Sequence, residues 1–512
     1  MFNKTFSQIK NYKLLGFLLI LSLLVSSGCK TGQFGAQPAT TTETQTQPAA
    51  PPAPVVVDGV RTSYADVVQK TSPAVVRIEA EIKARQPQQQ QFNLEDFFDF
   101  PGQPPQGGGR GQLPQSQQPP VQRGVGSGVI VSADGTILTN NHVVEGAEKI
   151  TILMSDDKTH NARIVGLDAA SDLAVLKIEA TNLPFLNLGN SDNVRVGDVV
   201  LAIGNPLGIG QTVTAGIISA KGRRTGLSDG SYEDFLQTDA PINRGNSGGA
   251  LVNINGELIG INSQILSSGG GGGGSIGIGF AIPSNMAKSV MEQLVANGKV
   301  RRGLLGVGIQ DVTEDNKEFF NLKDTKGVLI SEVKSGSAAE KAGLKRDDVV
   351  VAINGEAIED RNVLRNKVAG TLPGTEIKVK IVRDGREQEI PVVLDELNNE
   401  SAKSEQPNDK NNPEKSSEGG KLGLNLQPVT PNLLKQLELP ADTNGVIVTE
   451  IEPSGAAGRA GVARGDVILT INRQPVASLD DVQTALDKAG DKPILLLVAR
   501  RGGTVYLTVR TK

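Results

Sequence analysis

The stretch INRGNSGGALVNINGELIGI, residues 242–261, sets a single serine, Ser247, among glycines and then continues into short apolar runs. Its segment GNSGG fits G-x-S-x-G, the pattern that presents a nucleophilic serine between a strand and a helix in α/β hydrolases. Here the serine is followed instead by two apolar runs that flank Asn255-Gly256, a strong β-hairpin signal. The local pattern therefore predicts a serine loop inside an all-β domain.

The number and positions of the histidines decide which base such a serine could use. Histidine, oriented by a carboxylate, is the usual base, and the chain has only His142 and His160, both of which precede Ser247. An α/β hydrolase has its histidine after the serine, so that fold is excluded. The order histidine, aspartate, serine of chymotrypsin is filled by His142, Asp172 and Ser247, although Asp168 is close enough to compete with Asp172. His160 lies in a polar, turn-like segment and is interpreted as a surface residue.

The region 125–282 alternates short apolar runs with turn residues, which is typical of an all-β barrel or sandwich. His142 ends the predicted strand TILTNNHVV and Asp172 opens the predicted strand DLAVLKI, so both belong to the first half of this region, whereas Ser247 belongs to the second. This division predicts a chymotrypsin-like double β-barrel with the site between its halves. A helical pattern over 284–297 closes the domain.

The three candidate residues have complementary chemical roles. Ser247 Oγ would attack a peptide carbonyl, His142 would take and return the proton, and Asp172 would orient the imidazole. The backbone N–H groups of Gly245 and Ser247, with Asn246 as a further candidate, are predicted to stabilise the oxyanion. Taken singly, each residue has a structural explanation, and only their order on one β domain favours catalysis. This chemistry requires no metal ion and no cofactor, and we predict none.

The last two hundred residues contain an internal repeat. The segment GVLISEVKSGSAAEKAGLKRDDVVVAIN, residues 327–354, matches GVIVTEIEPSGAAGRAGVARGDVILTIN, residues 445–472, without any gap. Two copies of one small domain are therefore predicted after the β domain. Residues 398–420, rich in Ser, Glu, Asn and Lys, form the predicted linker between them.

The N-terminus is typical of an export signal, with lysines followed by an apolar run over 14–25 that is short for a membrane span. Residues 1–29 are therefore predicted to be a signal peptide. Cys29, the only cysteine of the chain, follows small residues as in a bacterial lipobox, which predicts its acylation and a membrane anchor. A retained signal anchor and an incidental cysteine are the alternatives. Residues 30–60, rich in Thr, Gln, Pro and Ala, form a predicted tether.

Composition limits the partners and the source of energy. The net charge of -4 provides no basic surface for nucleic acid, so nucleic-acid binding is excluded. The chain has no Walker motif, so no nucleotide would drive the unfolding of a substrate. The Gln-, Pro- and Gly-rich stretch 85–123 carries an apolar patch, FNLEDFFDF, and is predicted to be a docking loop within the β domain.

The motifs together resemble the HtrA/Deg (Do-like) serine proteases. The matching segments are TNNHVV, DLAVLKI, GNPLG, QTDAPINRGNSGGALVN and GIGFAIPSNM. The resemblance implies a mostly β chain, with a trypsin-like protease domain over 61–300 followed by α+β PDZ domains over 301–397 and 421–512. It implies an ATP-independent serine endopeptidase that degrades unfolded or damaged exported proteins, works as trimers or their multiples, and lies in the periplasm, tethered through Cys29.

The resemblance also assigns residues to substrate binding and regulation. The substrate-pocket loop of the family matches SQILSSGGGGGGSIGIGF, which implies that Ile265 and Leu266 line the primary pocket and that cleavage follows small aliphatic residues. Arg223, next to Arg224 in SAKGRRTG, resembles the arginine through which the regulatory loop of the family senses PDZ or partner signals.

PDZ domains bind an extended peptide as an added strand, while backbone amides of a loop hold its terminal carboxylate. That loop matches LLGV in the first copy, with Leu305, Gly306 and Val307, and LGL, residues 422–424, in the second. The implied partners are peptide C-termini and unfolded protein substrates. The alternative function is a PDZ-based chaperone or scaffold in which proteolysis is minor.

Overall fold

The structure, a computed structural model, describes part of the chain. The described residues are 56–57, 60–61, 63–83, 121–205, 210–225, 231–243, 245–265, 275–397, 422–437, 439–440, 443–500 and 503–510. The predicted signal peptide, Cys29, Leu266, the linker 398–420 and most of the tether and of the stretch 85–123 lie outside these ranges. No helix within the described ranges has the length and apolarity needed to cross a bilayer.

The first barrel is a closed sheet in the order β3-β4-β5-β8-β7-β6. Its strands are β3 (Val75–Lys83), β4 (Val121–Ile130), β5 (Thr136–Thr139), β6 (Ala147–Leu153), β7 (Thr159–Asp168) and β8 (Leu173–Ile178). It is preceded by the small hairpin β1 (Val56–Val57) and β2 (Val60–Arg61) and by helix α1 (Ala65–Thr71). Five of the six residues of β8 are buried, which places this strand in the core.

The second barrel is closed in the order β10-β11-β14-β13-β12-β9. Its strands are β9 (Val199–Gly204), β10 (Thr212–Arg223), β11 (Phe235–Thr238), β12 (Ala250–Asn253), β13 (Leu258–Ile265) and β14 (Gly279–Pro283). The hairpin of β12 and β13 across Asn255-Gly256 confirms the turn predicted from the sequence. The double β-barrel is therefore confirmed, and both barrels contribute to one buried apolar cluster.

Helix α2 (Asn141–Val144) corrects one detail of the prediction, because His142 does not end a strand. Strand β5 ends at Thr139. Its partner strand, β8, begins directly after Asp172, whose backbone is left-handed with φ of 54°. His160 is also placed differently, since it lies in β7 opposite Ile152 and is half-buried rather than in a turn. The predicted helix over 284–297 is confirmed as α3 (Ser284–Asn297).

The two repeats have the same sheet topology, which confirms the internal repeat. The first sheet has the order β16-β17-β18-β20-β21 and the second β23-β24-β25-β27-β28, each with one short extra strand on its third strand. The elements of the first repeat are β15 (Gly303–Leu304), β16 (Val307–Asp311), β17 (Val328–Val333), α4 (Ala338–Ala342), β18 (Val349–Ile353), β19 (Glu356–Ala357), α5 (Arg361–Gly370), β20 (Glu376–Arg383), β21 (Arg386–Val393) and β22 (Asp395–Glu396).

The second repeat follows the same plan. Its elements are β23 (Leu424–Pro428), α6 (Pro431–Gln436), β24 (Val446–Ile451), α7 (Ala456–Arg459), β25 (Val467–Ile471), β26 (Gln474–Pro475), α8 (Leu479–Ala489), β27 (Ile494–Arg500) and β28 (Gly503–Val509). Phe320 and Leu329 of the first repeat share an apolar cluster with Leu495 and Tyr506 of the second, so the repeats pack against each other.

Candidate active site

His142 and Asp172 form a close pair at the edge of the first barrel. The imidazole Nδ1 lies 2.8 Å from Asp172 Oδ2 and 3.0 Å from Oδ1, and the backbone N–H of His142 donates to Oδ1 at 3.0 Å. Because a carboxylate only accepts hydrogen bonds, this contact places the ring proton on Nδ1 and leaves Nε2 as the basic nitrogen. The pair has the donor and acceptor pattern of a histidine base with its orienting acid.

The position of Asp172 is fixed by the residues that precede His142. The backbone N–H of Asn141 donates to the Asp172 carbonyl at 3.1 Å, and Asn140 Nδ2 donates to the same oxygen at 3.0 Å. Asp168, the competing acid, is bound elsewhere: Arg302 contacts its carboxylate at 2.9 and 2.5 Å, and Ser171 donates to it. The carboxylate that faces His142 is therefore that of Asp172.

Ser263 connects this pair to the second barrel. Its hydroxyl, in the middle of β13, donates to Asp172 Oδ2 at 3.1 Å, and the residue is only 2% exposed. Ser263 was not among the site residues predicted from the sequence. The signal was the polar run Asn262-Ser263-Gln264 after the apolar start of the strand, because a buried polar side chain needs a partner.

Ser247 lies in a loop bound on both sides by the barrels. Its carbonyl accepts a hydrogen bond from the N–H of Ser127 in β4 at 2.8 Å. The N–H of Gly248 donates to the Asn262 carbonyl at 2.8 Å, and the N–H of Asn262 donates to the Gly249 carbonyl at 2.9 Å. Since Asn262 directly precedes Ser263, adjacent residues of β13 hold the serine loop and the Asp172 carboxylate, which His142 contacts.

The backbone of the serine loop limits the candidate donors for an oxyanion. Gly245 has φ of 93°, a conformation that favours glycine, and the N–H of Asn246 is already bound to the Asn243 carbonyl at 3.0 Å. Among the described residues, the N–H groups of Gly245 and Ser247 have no acceptor. Of the three predicted donors, these two are available and the amide of Asn246 is not.

Gly248 has no room for a side chain. Its φ is 81°, and a Cβ atom would lie 2.2 Å from the Ser127 carbonyl oxygen and 2.3 Å from Thr139 Oγ1. The second glycine of GNSGG thus allows the serine loop to press against the first barrel.

The described residues predicted for the pocket and for regulation, Ile265 and Arg223, each end a strand of the second barrel. Ile265 is the last residue of β13, in register with Gly279 of β14, while Leu266 lies outside the described ranges. Arg223 is the exposed last residue of β10, in register with Phe235. Within the described residues no group of three or more His, Cys, Asp or Glu side chains could hold a metal ion.

The predicted carboxylate loops of the repeats match each other in detail. In the first repeat Gly306 has φ of 80°, and the Leu305 and Gly306 carbonyls accept hydrogen bonds from the N–H groups of Ala339 and Lys334, both at 2.9 Å. Val307 begins the strand beside this loop. In the second repeat the carbonyls of residues 422 and 423 accept the equivalent bonds at 3.1 and 2.9 Å.

Comparisons with known proteins agree with this arrangement. The chain matches the family described as Trypsin-like peptidase domain over residues 126–261, and two families described as PDZ domain over residues 303–394 and 447–500. A Chlamydia trachomatis protein named "Probable periplasmic serine endoprotease DegP-like" is 44% identical over 82% of this chain and 80% of its own length. The Escherichia coli protein named "Periplasmic pH-dependent serine endoprotease DegQ" is 39% identical over 88% of this chain and 91% of its own.

A solved structure supports the same relationship. The structure titled "HtrA-type protease AlgW with tripeptide" is 40% identical, covers 66% of this chain and 98% of its own, and superposes with a TM-score of 0.52. With the double barrel, the serine loop and the two repeats already in place, these similarities show that the chain belongs to the HtrA family of serine endoproteases, with a trypsin-like domain followed by PDZ domains.

Proposed function

We propose that His142, Asp172 and Ser247 are the catalytic triad of this endoprotease. His142 Nε2 takes the proton of Ser247 Oγ as the oxygen attacks the peptide carbonyl, and returns it to the leaving amine. Asp172 holds the proton-bearing Nδ1 and stabilises the imidazolium that forms. The observation that carries this proposal is the contact of the Asp172 carboxylate with His142 of the first barrel and with Ser263 of the second, beside the Ser247 loop.

The N–H groups of Gly245 and Ser247 form the oxyanion hole in this proposal. Both amides flank a nucleophilic oxygen and neither has a described acceptor, so they can bind the negative charge that develops on the carbonyl oxygen. Asn246 contributes through its backbone, since its engaged N–H helps to shape the turn between the two donors.

The substrates are unfolded or damaged exported proteins of the periplasm, cleaved after small aliphatic residues. The relatives named periplasmic endoproteases support the compartment, and the absence of a Walker motif in the sequence supports substrates that arrive already unfolded. Ile265 and Leu266 line the primary pocket in this proposal, and Arg223 belongs to the regulatory loop. The N-terminal signal and acylated Cys29 tether the protein to a membrane, and the chain works as trimers or their multiples.

The PDZ domains bind peptide C-termini and regulate cleavage. The AlgW structures are titled with a tripeptide and a decapeptide, which supports peptide binding in this family. In the second repeat an apolar cavity of about 270 Å³ lies between β23 and α8, where a peptide strand would add. Leu305, Gly306 and Val307 provide the corresponding loop in the first repeat.

The substitution Ser247→Ala tests the catalytic assignment. We expect casein cleavage to fall by about 10⁴-fold or more, because no other group would supply the nucleophile. Ser284→Ala is the matched control, since Ser284 is a buried serine whose hydroxyl donates to the Gly189 carbonyl at 2.7 Å. Persistent cleavage by purified Ser247→Ala would refute the triad. The same variant addresses the chaperone alternative: if it still prevents aggregation of unfolded casein, client holding is independent of proteolysis.

A further inference from the structure

Ser127 is a fully buried serine in the middle of β4, and its hydroxyl has two partners from the second barrel. Ser127 Oγ donates to the Gly245 carbonyl oxygen at 2.5 Å and accepts a hydrogen bond from the N–H of Asn205 at 2.8 Å. Both partners are backbone groups, and Gly245 belongs to the serine loop. The hydroxyl therefore connects a strand of the first barrel to the backbone that carries the proposed oxyanion hole.

The bond to Gly245 fixes one particular peptide unit. Its carbonyl oxygen, from Gly245, is bound by Ser127, and its N–H, from Asn246, is bound by the Asn243 carbonyl at 3.0 Å. A peptide group held at both ends cannot rotate about its flanking bonds. This matters because Gly245 lacks a Cβ atom and would otherwise reach several backbone conformations at little cost. The N–H groups on either side of this peptide are the two proposed oxyanion donors.

Ser127 is itself held by the strand that leads to the histidine. Thr139 Oγ1, at the end of β5, donates to the Ser127 carbonyl at 2.7 Å, and the N–H of Ser127 donates to the Ser247 carbonyl at 2.8 Å. Three residues after Thr139 comes His142. The strand that leads to His142 thus holds Ser127, and Ser127 in turn holds the loop that carries the oxyanion donors.

We infer that Ser127 is a positioning residue for the oxyanion hole. Its hydroxyl does not touch the substrate, but it aims the N–H groups of Gly245 and Ser247 by fixing the peptide between Gly245 and Asn246. This inference rests on the proposed catalytic role of Ser247. An oxyanion donor that is misaimed acts mainly on the transition state, so its loss lowers kcat and leaves KM nearly unchanged.

The test compares Ser127→Ala with Ser284→Ala, which removes an equally buried hydroxyl that also donates to a backbone carbonyl but lies away from the serine loop. We expect Ser127→Ala to lower kcat on a chromogenic peptide by about 10- to 100-fold, less than the 10²- to 10³-fold typical of deleting a donor outright. KM should stay within about threefold. A peptide boronic acid, whose tetrahedral adduct places an oxygen in the hole, should bind more weakly by a factor similar to the loss in kcat.

Each outcome is decisive. If Ser127→Ala keeps kcat and the boronic acid affinity within about twofold of the unmodified enzyme, the inference is wrong. If it lowers both and Ser284→Ala lowers neither, the inference holds. If Ser127→Ala does not fold, Ser127→Cys replaces it, because the thiol fills the site and is only a weak donor. Should neither variant fold while Ser284→Ala does, the hydroxyl serves the fold and the inference is overturned.

The inference and the triad proposal fail in different ways. If Ser247→Ala is inactive and Ser127→Ala is fully active, only the positioning role of Ser127 is refuted. An active Ser247→Ala would remove the triad itself, whatever Ser127→Ala does.

Discussion

The two PDZ repeats have the same topology, but their equivalent helices face different surroundings. Helix α5 of the first repeat packs on the protease domain, where Asn362 and Asn366 donate to the Glu233 carbonyl at 2.8 Å. Helix α8 of the second repeat lines the apolar cavity beside β23, with Leu479 among the lining residues. The same fold thus provides a fixed contact in one copy and an open groove in the other, because the residues on the two helices differ: Asn362 of α5 is replaced by Asp480 in α8.

What the copies share is an ion pair between a buried aspartate and a partly exposed arginine. Arg383 donates to both Asp348 oxygens at 2.6 and 2.7 Å, and Arg500 donates to both Asp466 oxygens at 2.7 Å. Each aspartate side chain is 1% exposed. In both copies the arginine also donates to the backbone carbonyl of a glycine that follows a short helix. This glycine is Gly343 after α4 in the first repeat and Gly461 after α7 in the second. In each copy the arginine, the aspartate and the glycine all lie within the same repeat, so this pair does not depend on what the repeat packs against.

What distinguishes the first copy is its anchor to the protease domain. Arg302 pairs with Asp168, and their side chains are only 12% and 8% exposed. The Arg302 and Arg365 guanidinium groups each lie 4.6 Å from the centre of the Tyr232 ring. Asp168 is four residues before Asp172, so the first PDZ domain is attached close to the proposed orienting acid.

The largest expected effect comes from removing this anchor. Arg302→Ala leaves the Asp168 carboxylate buried without its cation, which typically costs about 3 to 5 kcal/mol. We expect urea unfolding to show a loss of this size in the transition that includes the protease domain. Arg301→Ala is the control, because the neighbouring pair of Arg301 and Glu396 is 44% and 37% exposed and should contribute about 1 kcal/mol or less. Equal losses for the two variants would contradict the anchor.

The second prediction concerns the pair that both copies share. Arg383→Ala and Arg500→Ala should each cost about 3 kcal/mol, because each leaves a buried aspartate with only a backbone donor. The two losses in free energy of unfolding should agree within about 0.5 kcal/mol, a difference that independent, equivalent sites allow. A much larger cost in the first repeat would mean that this pair also supports docking on the protease domain.

The third prediction concerns the grooves. In the first repeat Arg361 pairs with Asp311 across α5 and β16 at 3.2 Å, whereas Leu479 begins α8 at the equivalent place in the second. Leu479→Ala, made in Ser247→Ala to prevent cleavage, should weaken binding of a peptide with an apolar C-terminus about three- to fivefold, or roughly 1 kcal/mol of lost apolar contact. Val295→Ala is the control, since Val295 is an exposed apolar residue of α3 that does not line the cavity. Unchanged affinity in Leu479→Ala would exclude this groove as the peptide site.

Much of this fold was predictable from the sequence because its signals are local. The hairpin turn at Asn255-Gly256, the helix over 284–297 and the repeat all depend on neighbouring residues or on a match within the chain. The candidate triad followed from the number and order of the histidines, since the chain has only two and both precede Ser247. The histidine nevertheless lies in a short helix and not in a strand, because the left-handed backbone of Asp172 ends the ladder at that point.

The rest of the site depends on contacts between distant parts of the chain. The choice between Asp168 and Asp172 required their partners, Arg302 and His142, and Arg302 is 134 residues from Asp168. Ser127 lies between two glycines of β4 and Ser263 between two amide residues of β13. A sequence cannot tell which backbone or carboxylate oxygen such a hydroxyl will meet. The residues that we propose to position the site therefore left only a weak sequence signal.

The smallest expected effect is a pH dependence confined to the first copy. Asp234 lines a cavity of about 450 Å³ between the protease domain and α5. Burial, with repulsion from Asp192 and from Asp360, the residue that caps the N-terminus of α5, raises the pKa of its carboxyl, while Lys221 partly opposes this. Separation of the domains would hydrate the carboxyl and return its pKa towards the ordinary value. Docking therefore binds a proton, and the docked state gains stability as the pH falls through the raised pKa and loses it above.

Asp234→Asn should abolish this slope, because the neutral amide resembles the protonated acid at every pH. The measurement is the free energy of unfolding of the protease domain with the first PDZ domain, from the ordinary carboxyl pKa of about 4 up to about pH 7. Asp156→Asn, on an exposed turn, should leave the slope attributed to Asp234 in place. The second repeat has no equivalent contact with the protease domain among the described residues, so a slope that survives Asp234→Asn would have to arise elsewhere and would remove this difference between the copies.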